Sequence, residues 1–453
     1  MMQIPVEVIS VIKTLRKNNH QAFVVGGAVR DCLLRRNPKD WDVTTDAIPS
    51  QVEKCFSKTI PVGKKFGTVT VLVRRFPVQV TTFRSEDKYV DQRRPRSVRF
   101  HKNLTADLSR RDFTINALAY NLETEKVIDP FGGLKDLRHK KLRTVGKAQK
   151  RFNEDTLRVI RAARFLAELD FSPDPELTQA AGRSVKHIFK LSKERIRDEL
   201  EKLMISKDPR RGLLWLDKTK ILKCVLPELV TCKGVRQGGW HSYDVFQHTL
   251  YAVLASPQKL DLRLGLLLHD IAKPITRTRD LRGYHFYGHD KMGAEMARAI
   301  LKRLRFPNEL IESVCTLVRH HLFEVDAIVN NDAAIRRLIQ RVGETRIDDL
   351  LEFRKADIRG CGPGRTYRPS LNKLAKRIQW VKNKETIPKL TDLAINGHDV
   401  MKWLHIKPGP QVGIVLRDLL EKVIECPTLN TKTHLKQLVE NKSPDSRERL
   451  KEG

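Results

Sequence analysis

An α/β head followed by an almost wholly helical remainder is the fold class this sequence predicts. Short β-branched runs alternate with helically spaced segments up to about residue 130. From Asn153 onward the apolar residues fall on a 3.6-residue period. In the helical part, two Gly-rich joints, Arg236-Gln237-Gly238-Gly239 and Gly360-Cys361-Gly362-Pro363-Gly364, bracket a unit of their own.

The head elements follow in order. Phe23-Val24-Val25 is a buried-strand run that ends in Gly26-Gly27, and Ala28 to Leu34 continues at helical spacing. Trp41-Asp42-Val43-Thr44-Thr45 reads as the next strand. Thr68 to Val73 and Val78 to Phe83 form a hairpin around Arg74-Arg75-Phe76-Pro77. Leu157, Ile160, Ala163 and Leu166 then open the helical region, which is expected to run to the C-terminus.

Composition narrows the function. The 453 residues include 86 Lys and Arg against 54 Asp and Glu, a net charge of +32. With 40% hydrophobic residues the chain can bury a core, so a disordered polycation is excluded and a nucleic-acid partner is expected. Seven cysteines without a CxxC pair indicate neither a zinc ribbon nor a secreted disulfide framework, and fit a reducing cytoplasm. No apolar stretch reaches the roughly 18 residues of a membrane span, and no signal peptide is evident. Residues 361–390 hold eight Lys or Arg and one Glu, with Tyr367 and Trp380 among them. That mixture suits phosphate contact and base stacking, or a solvated helix face.

Chemistry concentrates first in the head. The glycine turn Gly26-Gly27, with Arg30, precedes Asp40-Trp41-Asp42, whose two acids alternate at the start of a strand and so share a face. Two carboxylates at close range repel unless a hard cation sits between them, and Mg²⁺ is the natural one. Two-metal phosphoryl transfer is what such a pair serves, while a glycine turn at a helix start offers N–H groups to phosphates. Farther on, Asp155 and Arg158 are three apart in a helical stretch and would present an acceptor beside a donor. Cytosine and adenine each show an amino donor beside a ring-nitrogen acceptor and fit that frame. Uracil and guanine show the reverse polarity and leave a buried mismatch.

The whole series, Gly26-Gly27, Asp40-x-Asp42, Arg110-Arg111-Asp112, Asp129-Pro130-Phe131-Gly132-Gly133 and Glu154-Asp155-x-x-Arg158-x-x-Arg161-x-x-Arg164, resembles the bacterial class II tRNA nucleotidyltransferases and their poly(A) polymerase relatives. Gly63 to Val69, Arg93-Arg94-Pro95, Lys193-Glu194-Arg195-Ile196 and Asn396-Gly397-His398-Asp399-Val400 resemble further family segments. The resemblance implies Asp40 and Asp42 as catalytic Mg²⁺ ligands and a nucleotide site of Gly27, Arg30, Arg111, Asp112, Asp155, Arg158, Arg161 and Arg164. Asp112 is implied as the ribose 2′-OH partner; Arg161 and Arg164 face triphosphate or base, or support the RNA backbone. Gln79 stands where many members carry a third acid.

A second cluster lies downstream. The apolar run Leu264 to Leu268 leads into His269-Asp270, and His248, His289, His320-His321 and Asp357 complete a series that resembles the HD phosphohydrolase domain. That implies a site of His248, His269, Asp270 and Asp357, with His289 and His320 for a second ion, loaded with Ni²⁺, Mn²⁺ or Mg²⁺. The expected organisation is a nucleotidyltransferase-type head of mixed sheet and helices at 1–146, a helical neck at 147–235, an HD body at 236–360 and a basic helical tail for tRNA at 361–453. The expected activity is addition of C, C and A to tRNA from CTP and ATP in the cytoplasm, with HD phosphohydrolysis beside it and no obligate protein partner. Addition of CC or A alone, poly(A) tailing, a phosphohydrolase with a relic head, and a non-catalytic RNA-binding module are the alternatives. The intact acids weigh against the last two.

Overall fold

An unbroken apolar run at Ala22–Val25 and Val alternating with Thr or Gln in Thr68–Val73 and Phe76–Thr82 build the head sheet. In this computed structural model, which describes residues 2–60, 66–86, 89–90, 94–95, 98–239, 241–281, 283–364, 366, 369–384 and 387–441, seven strands form one mixed sheet. Numbered within it, they are β1 (Ala22–Val25), β2 (Asp42–Thr45), β3 (Thr59–Ile60), β4 (Thr68–Val73), β5 (Phe76–Thr82), β6 (Ala119–Asn121) and β7 (Lys126–Ile128). Their spatial order is β7-β6-β1-β2-β5-β4-β3. Only β2 and β5 pair in parallel, in the register Asp42↔Gln79 to Thr45↔Thr82. Val24, Val25, Val43, Val69, Val78 and Val80 are fully buried along these strands. Helix Val6–Lys17 adds Val8, Val11, Ile12 and Leu15, a stripe at the i, i+3, i+4, i+7 spacing.

The hairpin is tighter than the sequence suggests. Its turn is Arg74-Arg75 alone, both at positive φ of 49° and 70°, the twist a two-residue hairpin loop requires. Phe76 and Pro77 join β5, and Pro77 pairs with Leu72 of β4 before β2 begins its pairing at Gln79. Its missing N–H therefore falls where β5 has no second neighbour.

Contacts divide the chain into two units, Met1–Thr231 with Arg303–Phe306, and Cys232–Lys302 with Pro307–Gly453. Helices Ala148–Glu154, Leu157–Leu169, Lys193–Met204 and Pro209–Lys218 follow the sheet in the first. The second is built of helices with one small hairpin, Thr278–Asp280 with Gly283–His285. Its C-terminal part has an apolar cluster of its own, including Leu393, Val400, Val415, Leu419, Val423, Leu435 and Val439. Among the described residues no helix is long and apolar enough to cross a membrane, and all seven cysteines are free.

Candidate active site

In the first unit the site grows from the end of β1. Gly26 turns the chain at φ 75° into helix Gly27–Leu33, and a Cβ there would lie 2.8 Å from a guanidinium nitrogen of Arg111. Glycine thus answers both the left-handed backbone and the close approach of Arg111. Asp42 opens the neighbouring β2, half-buried, with exposed Asp40 two residues before it. Burial raises the pKa of Asp42, Arg111 opposes that, and Asp40 adds to it. Asp40 thus makes the ionisation of Asp42 costlier, and a divalent cation would relieve that cost, so the donor set fits Mg²⁺.

Asp112 is nearly buried and fully partnered. One oxygen accepts from the Phe113 N–H at 2.8 Å and from Asn116 Nδ2 at 3.0 Å; the other accepts from Arg161 Nε and Nη2 at 2.9 and 2.7 Å. Burial pushes its pKa up, but Arg161 and Asn116 prevail and hold it well below the usual carboxylate range. Asn116 also accepts from Arg30 Nη1 at 2.7 Å, so one amide ties the glycine turn to Asp112. Arg161 and Arg164 meet the buried Glu199, at 3.3 and 3.0 Å, and two cations are balanced by two acids.

Asp155 departs from the expected helix-face placement. It ends helix Ala148–Glu154 in an extended conformation, φ −146° and ψ 104°, and lies outside helix Leu157–Leu169. The cause is local: Asp155 Oδ1 accepts from the Leu157 N–H at 3.1 Å, an Asx-type turn one residue before Thr156, the helix N-cap. Its other oxygen accepts from Arg195 Nη2 at 2.7 Å. Arg158 donates to Glu154 at 2.7 Å and to the carbonyls of Arg151 and Arg110 at 3.2 Å each. Acceptor and donor stand near one another in the chain, each held by its own partner. Gly63, Arg93 and Tyr367 lie outside the described residues. Trp380 is partly exposed, with Arg377 at 3.9 Å and Lys384 at 4.5 Å over its ring.

In the second unit, His248, His269 and Asp357 form one group of converging ligand atoms, and Asp270, His289 and His321 another. Helix Val245–Ala255 carries His248 and helix Ile347–Gly360 carries Asp357. These helices touch at Gly360, where a Cβ would stand 2.8 Å from the Ala252 backbone nitrogen. His248 Nε2 lies 3.2 Å from His269 Nε2 and 3.1 Å from Asp357 Oδ1. His269, His289 and His321 each donate Nδ1–H to the carbonyl three residues earlier, at 2.8, 2.6 and 2.6 Å. That commits each Nδ1 and makes Nε2 the atom each ring would offer a metal. Asp270 Oδ1 and His289 Nε2 are buried 3.5 Å from each other, with no hydrogen bond to either, an arrangement that one shared ion would satisfy. Burial lowers His269, but Asp270 and Asp357 overcome it and push its pKa to about 10. His321, buried beside His269, falls to about 3.

The family model for the poly(A) polymerase head domain matches residues 22–143, that for the RNA and SrmB-binding site of polymerase A matches 170–232, and that for tRNA nucleotidyltransferase domain 2 matches 288–439. The CCA-adding enzyme of Anoxybacillus flavithermus is 33% identical over 95% of this chain and 96% of its own. The chain belongs to the tRNA nucleotidyltransferase and poly(A) polymerase family. The A-adding tRNA nucleotidyltransferase of Deinococcus radiodurans is 38% identical over 70% of this chain and 75% of its own. A crystal structure of the Bacillus stearothermophilus CCA-adding enzyme in complex with CTP superposes with a TM-score of 0.73 at 29% identity, covering 99% of this chain and 100% of that one.

Within this member of the family, one expected ligand is corrected: His321, and not His320, enters the histidine cluster. His320 ends helix Asn308–His320, where burial, Arg319 and Arg341 lower its pKa. One residue turns a helix by about 100°, enough to exchange the two faces. Sequence reasoning also passed over Asn116, Glu199 and Lys273. The buried Lys273 ammonium donates to Asp270 Oδ2 at 2.7 Å and to Gln237 Oε1 at 2.5 Å. Its signal was available, as Lys273 stands one helical turn after Asp270.

Proposed function

We propose that the protein extends the 3′ end of tRNA with C, C and A, from CTP and ATP, without a nucleic-acid template. One observation carries the reading: Asp42, the glycine turn, Asp112 and Arg158 are linked through neighbouring arginines and one asparagine. Arg111, which acts on Asp42, covers Gly26; Arg30 reaches Asp112 through Asn116; and Arg158 donates to the backbone of Arg110, next to Arg111. Mg²⁺ held by Asp40 and Asp42 would activate the attacking 3′-hydroxyl and neutralise the triphosphate.

The protein's own groups do the selecting. Asp112 would accept from a ribose hydroxyl in exchange for one of its Arg161 bonds, and Arg30 and Arg111 offer guanidinium donors to phosphate oxygens. Asp155 accepts from the amino group of C or A, and Arg158 donates to the adjacent ring nitrogen. Those two side chains are engaged by Arg195 and Glu154, so a correct base must offer both bonds to replace them. The test is incubation with tRNA ending at the discriminator base, with CTP and ATP separately and together, followed by sequencing of the ends. Ends in CCA support the reading; CC alone, A alone or long A tails assign one of the narrower or tailing activities.

A second reading is favoured by the orphaned Asp270 Oδ1 and His289 Nε2. We propose that His248, His269 and Asp357, with Asp270, His289 and His321, hold one or two divalent ions such as Ni²⁺ or Mn²⁺, and that this body hydrolyses 2′,3′-cyclic or 2′-phosphates at RNA ends. Lys273 supplies a fixed positive charge beside Asp270. Release of phosphate or opening of a cyclic phosphate after metal loading tests it.

A further inference from the structure

A softer set of ligand atoms adjoins the acid and histidine cluster of the second unit. His241, His248 and Cys361 bring two ring nitrogens and a sulfur within 4.8 Å of one another. They come from three places in the chain: the loop ahead of helix Val245–Ala255, that helix itself, and the residue that caps helix Ile347–Gly360. His248 and Cys361 are buried, and His241 stands half-buried at the edge.

The backbone holds the three segments together. The Ser242 N–H donates to the Cys361 carbonyl at 2.8 Å, which ties the residue after His241 to the one that carries the thiol. Gly362 follows at φ 147°, where any side chain would run into Ser242, so the close approach of the two segments depends on glycine. Gly360 lies against the backbone of Ala252, one helical turn beyond His248. The His241 and His248 rings meet edge to face, 82° apart with centroids at 5.0 Å.

A packed thiol is the plain alternative, and Cys361 Sγ does donate to the Asp357 carbonyl at 3.5 Å. Packing does not account for the imidazoles. His248 Nδ1 is buried with no hydrogen-bond partner, while Nε2 of the same ring meets His269 and Asp357. One thiol with two imidazoles, one of them holding an unsatisfied nitrogen, suits a thiophilic ion such as Zn²⁺, whereas Mg²⁺ prefers oxygen. Three protein ligands also leave the fourth tetrahedral position to water.

We propose that His241, His248 and Cys361 form a site for a thiophilic divalent ion of the Zn²⁺ type, which shares only His248 with the two ligand groups described above. Binding replaces the Cys361 S–H bond by a sulfur–metal bond, and the proton leaves to solvent. The site does not rest on the phosphohydrolase reading, because His241 and Cys361 belong to neither of those groups.

The test titrates the full chain, reduced and freed of metal by chelation, with Co²⁺, whose bond to a thiolate gives a near-ultraviolet charge-transfer band that oxygen and nitrogen ligands do not. Wild type is expected to show the band. Cys361→Ser is expected to abolish it, with Cys361→Ala as a second variant and a far-ultraviolet spectrum matching wild type as the check on folding. His241→Gln is expected to weaken the affinity read at this band by about a hundredfold, since even the outer partners of metal ligands are worth about 10- to 100-fold. His321→Ala, which alters only the other ligands, is expected to keep the band, and Zn²⁺ but not Mg²⁺ to displace it. No band in wild type, a band that survives in folded Cys361→Ser and Cys361→Ala, or its loss in His321→Ala would overturn the site. Wild type that binds Mn²⁺ and shows no thiolate band would remove this site and leave the other ligand groups standing. A full band in protein that hydrolyses no cyclic phosphate would uphold this site and remove the hydrolase.

Discussion

Gln79 stands directly opposite Asp42 in the parallel register of β2 and β5, so the two side chains share one face of the head sheet. A neutral amide faces β2 there, so in the proposed site the metal charge would fall on Asp40 and Asp42 alone. Replacing Gln79 by Glu is expected to lower the Mg²⁺ concentration for half-maximal nucleotide incorporation several-fold, by adding a third oxygen anion. Asp42→Asn is expected to cut incorporation by about 10³-fold or more and leave tRNA affinity nearly unchanged, because that affinity is spread over many cations. Metal-titrated incorporation assays and filter binding measure the two effects. Incorporation at wild-type rate by Asp42→Asn would remove the metal assignment.

Base choice is expected to depend on Asp155 and on the residue that holds it. Asp155→Ala should bring UTP and GTP within about tenfold of CTP, since the mismatch that rejects them is worth a few kcal/mol only while the acceptor is fixed. Arg195→Ala should give an intermediate loss, because Asp155 keeps its Leu157 contact and gives up only the guanidinium. Single-nucleotide incorporation with each triphosphate checks both. Unchanged discrimination in Asp155→Ala would place the frame elsewhere.

The Asp112 network makes a prediction about acid. The folded carboxyl is held below its unfolded value, so its contribution is complete above about pH 4 and is lost as pH falls through the lowered folded value. Asp112→Asn is therefore expected to melt earlier than wild type at pH 7, with the gap narrowing as both are taken below pH 4. Thermal melts at stepped pH track the gap; one that widens toward acid would contradict the assignment.

What the sequence disclosed and what it hid divide along a physical line. Asp40 and Asp42, or His269 and Asp270, are legible because chemistry-bearing residues lie side by side in the chain beside a strong strand or helix signal. Asn116, Glu199 and Gln237 act through partners 86, 38 and 36 residues away, and no local pattern announces such a pairing. Asp155 escapes its true placement in the sequence because the apolar period of the next helix extends smoothly back past it, while one side-chain bond to Leu157 sets the start. The Arg74-Arg75 turn hides for the opposite reason: its positive φ values fall on residues that seldom adopt them.

The sharpest test of the second unit separates two neighbouring histidines. His321→Ala is expected to remove a ligand and His320→Ala to spare it, because His321 alone of the pair is fully buried with its Nδ1 committed to the Val318 carbonyl. A metal that binds only the folded chain raises stability by about 2.7 kcal/mol at a hundredfold excess over its Kd, so Ni²⁺ or Mn²⁺ should lift the melting temperature of wild type and His320→Ala. The lift should shrink for His321→Ala and vanish for Asp270→Asn, whose oxygen joins His289 and His321 in one group. Metal content after dialysis should run in the same order. Nucleotide addition should persist in all three variants, since the proposed transferase site draws its metal ligands from Asp40 and Asp42. If His320→Ala lost the metal and His321→Ala kept it, the two groups described for this body would have to be redrawn. If no variant differed from wild type in metal content, the cluster would be a packed polar core and its hydrolase reading would fall with it.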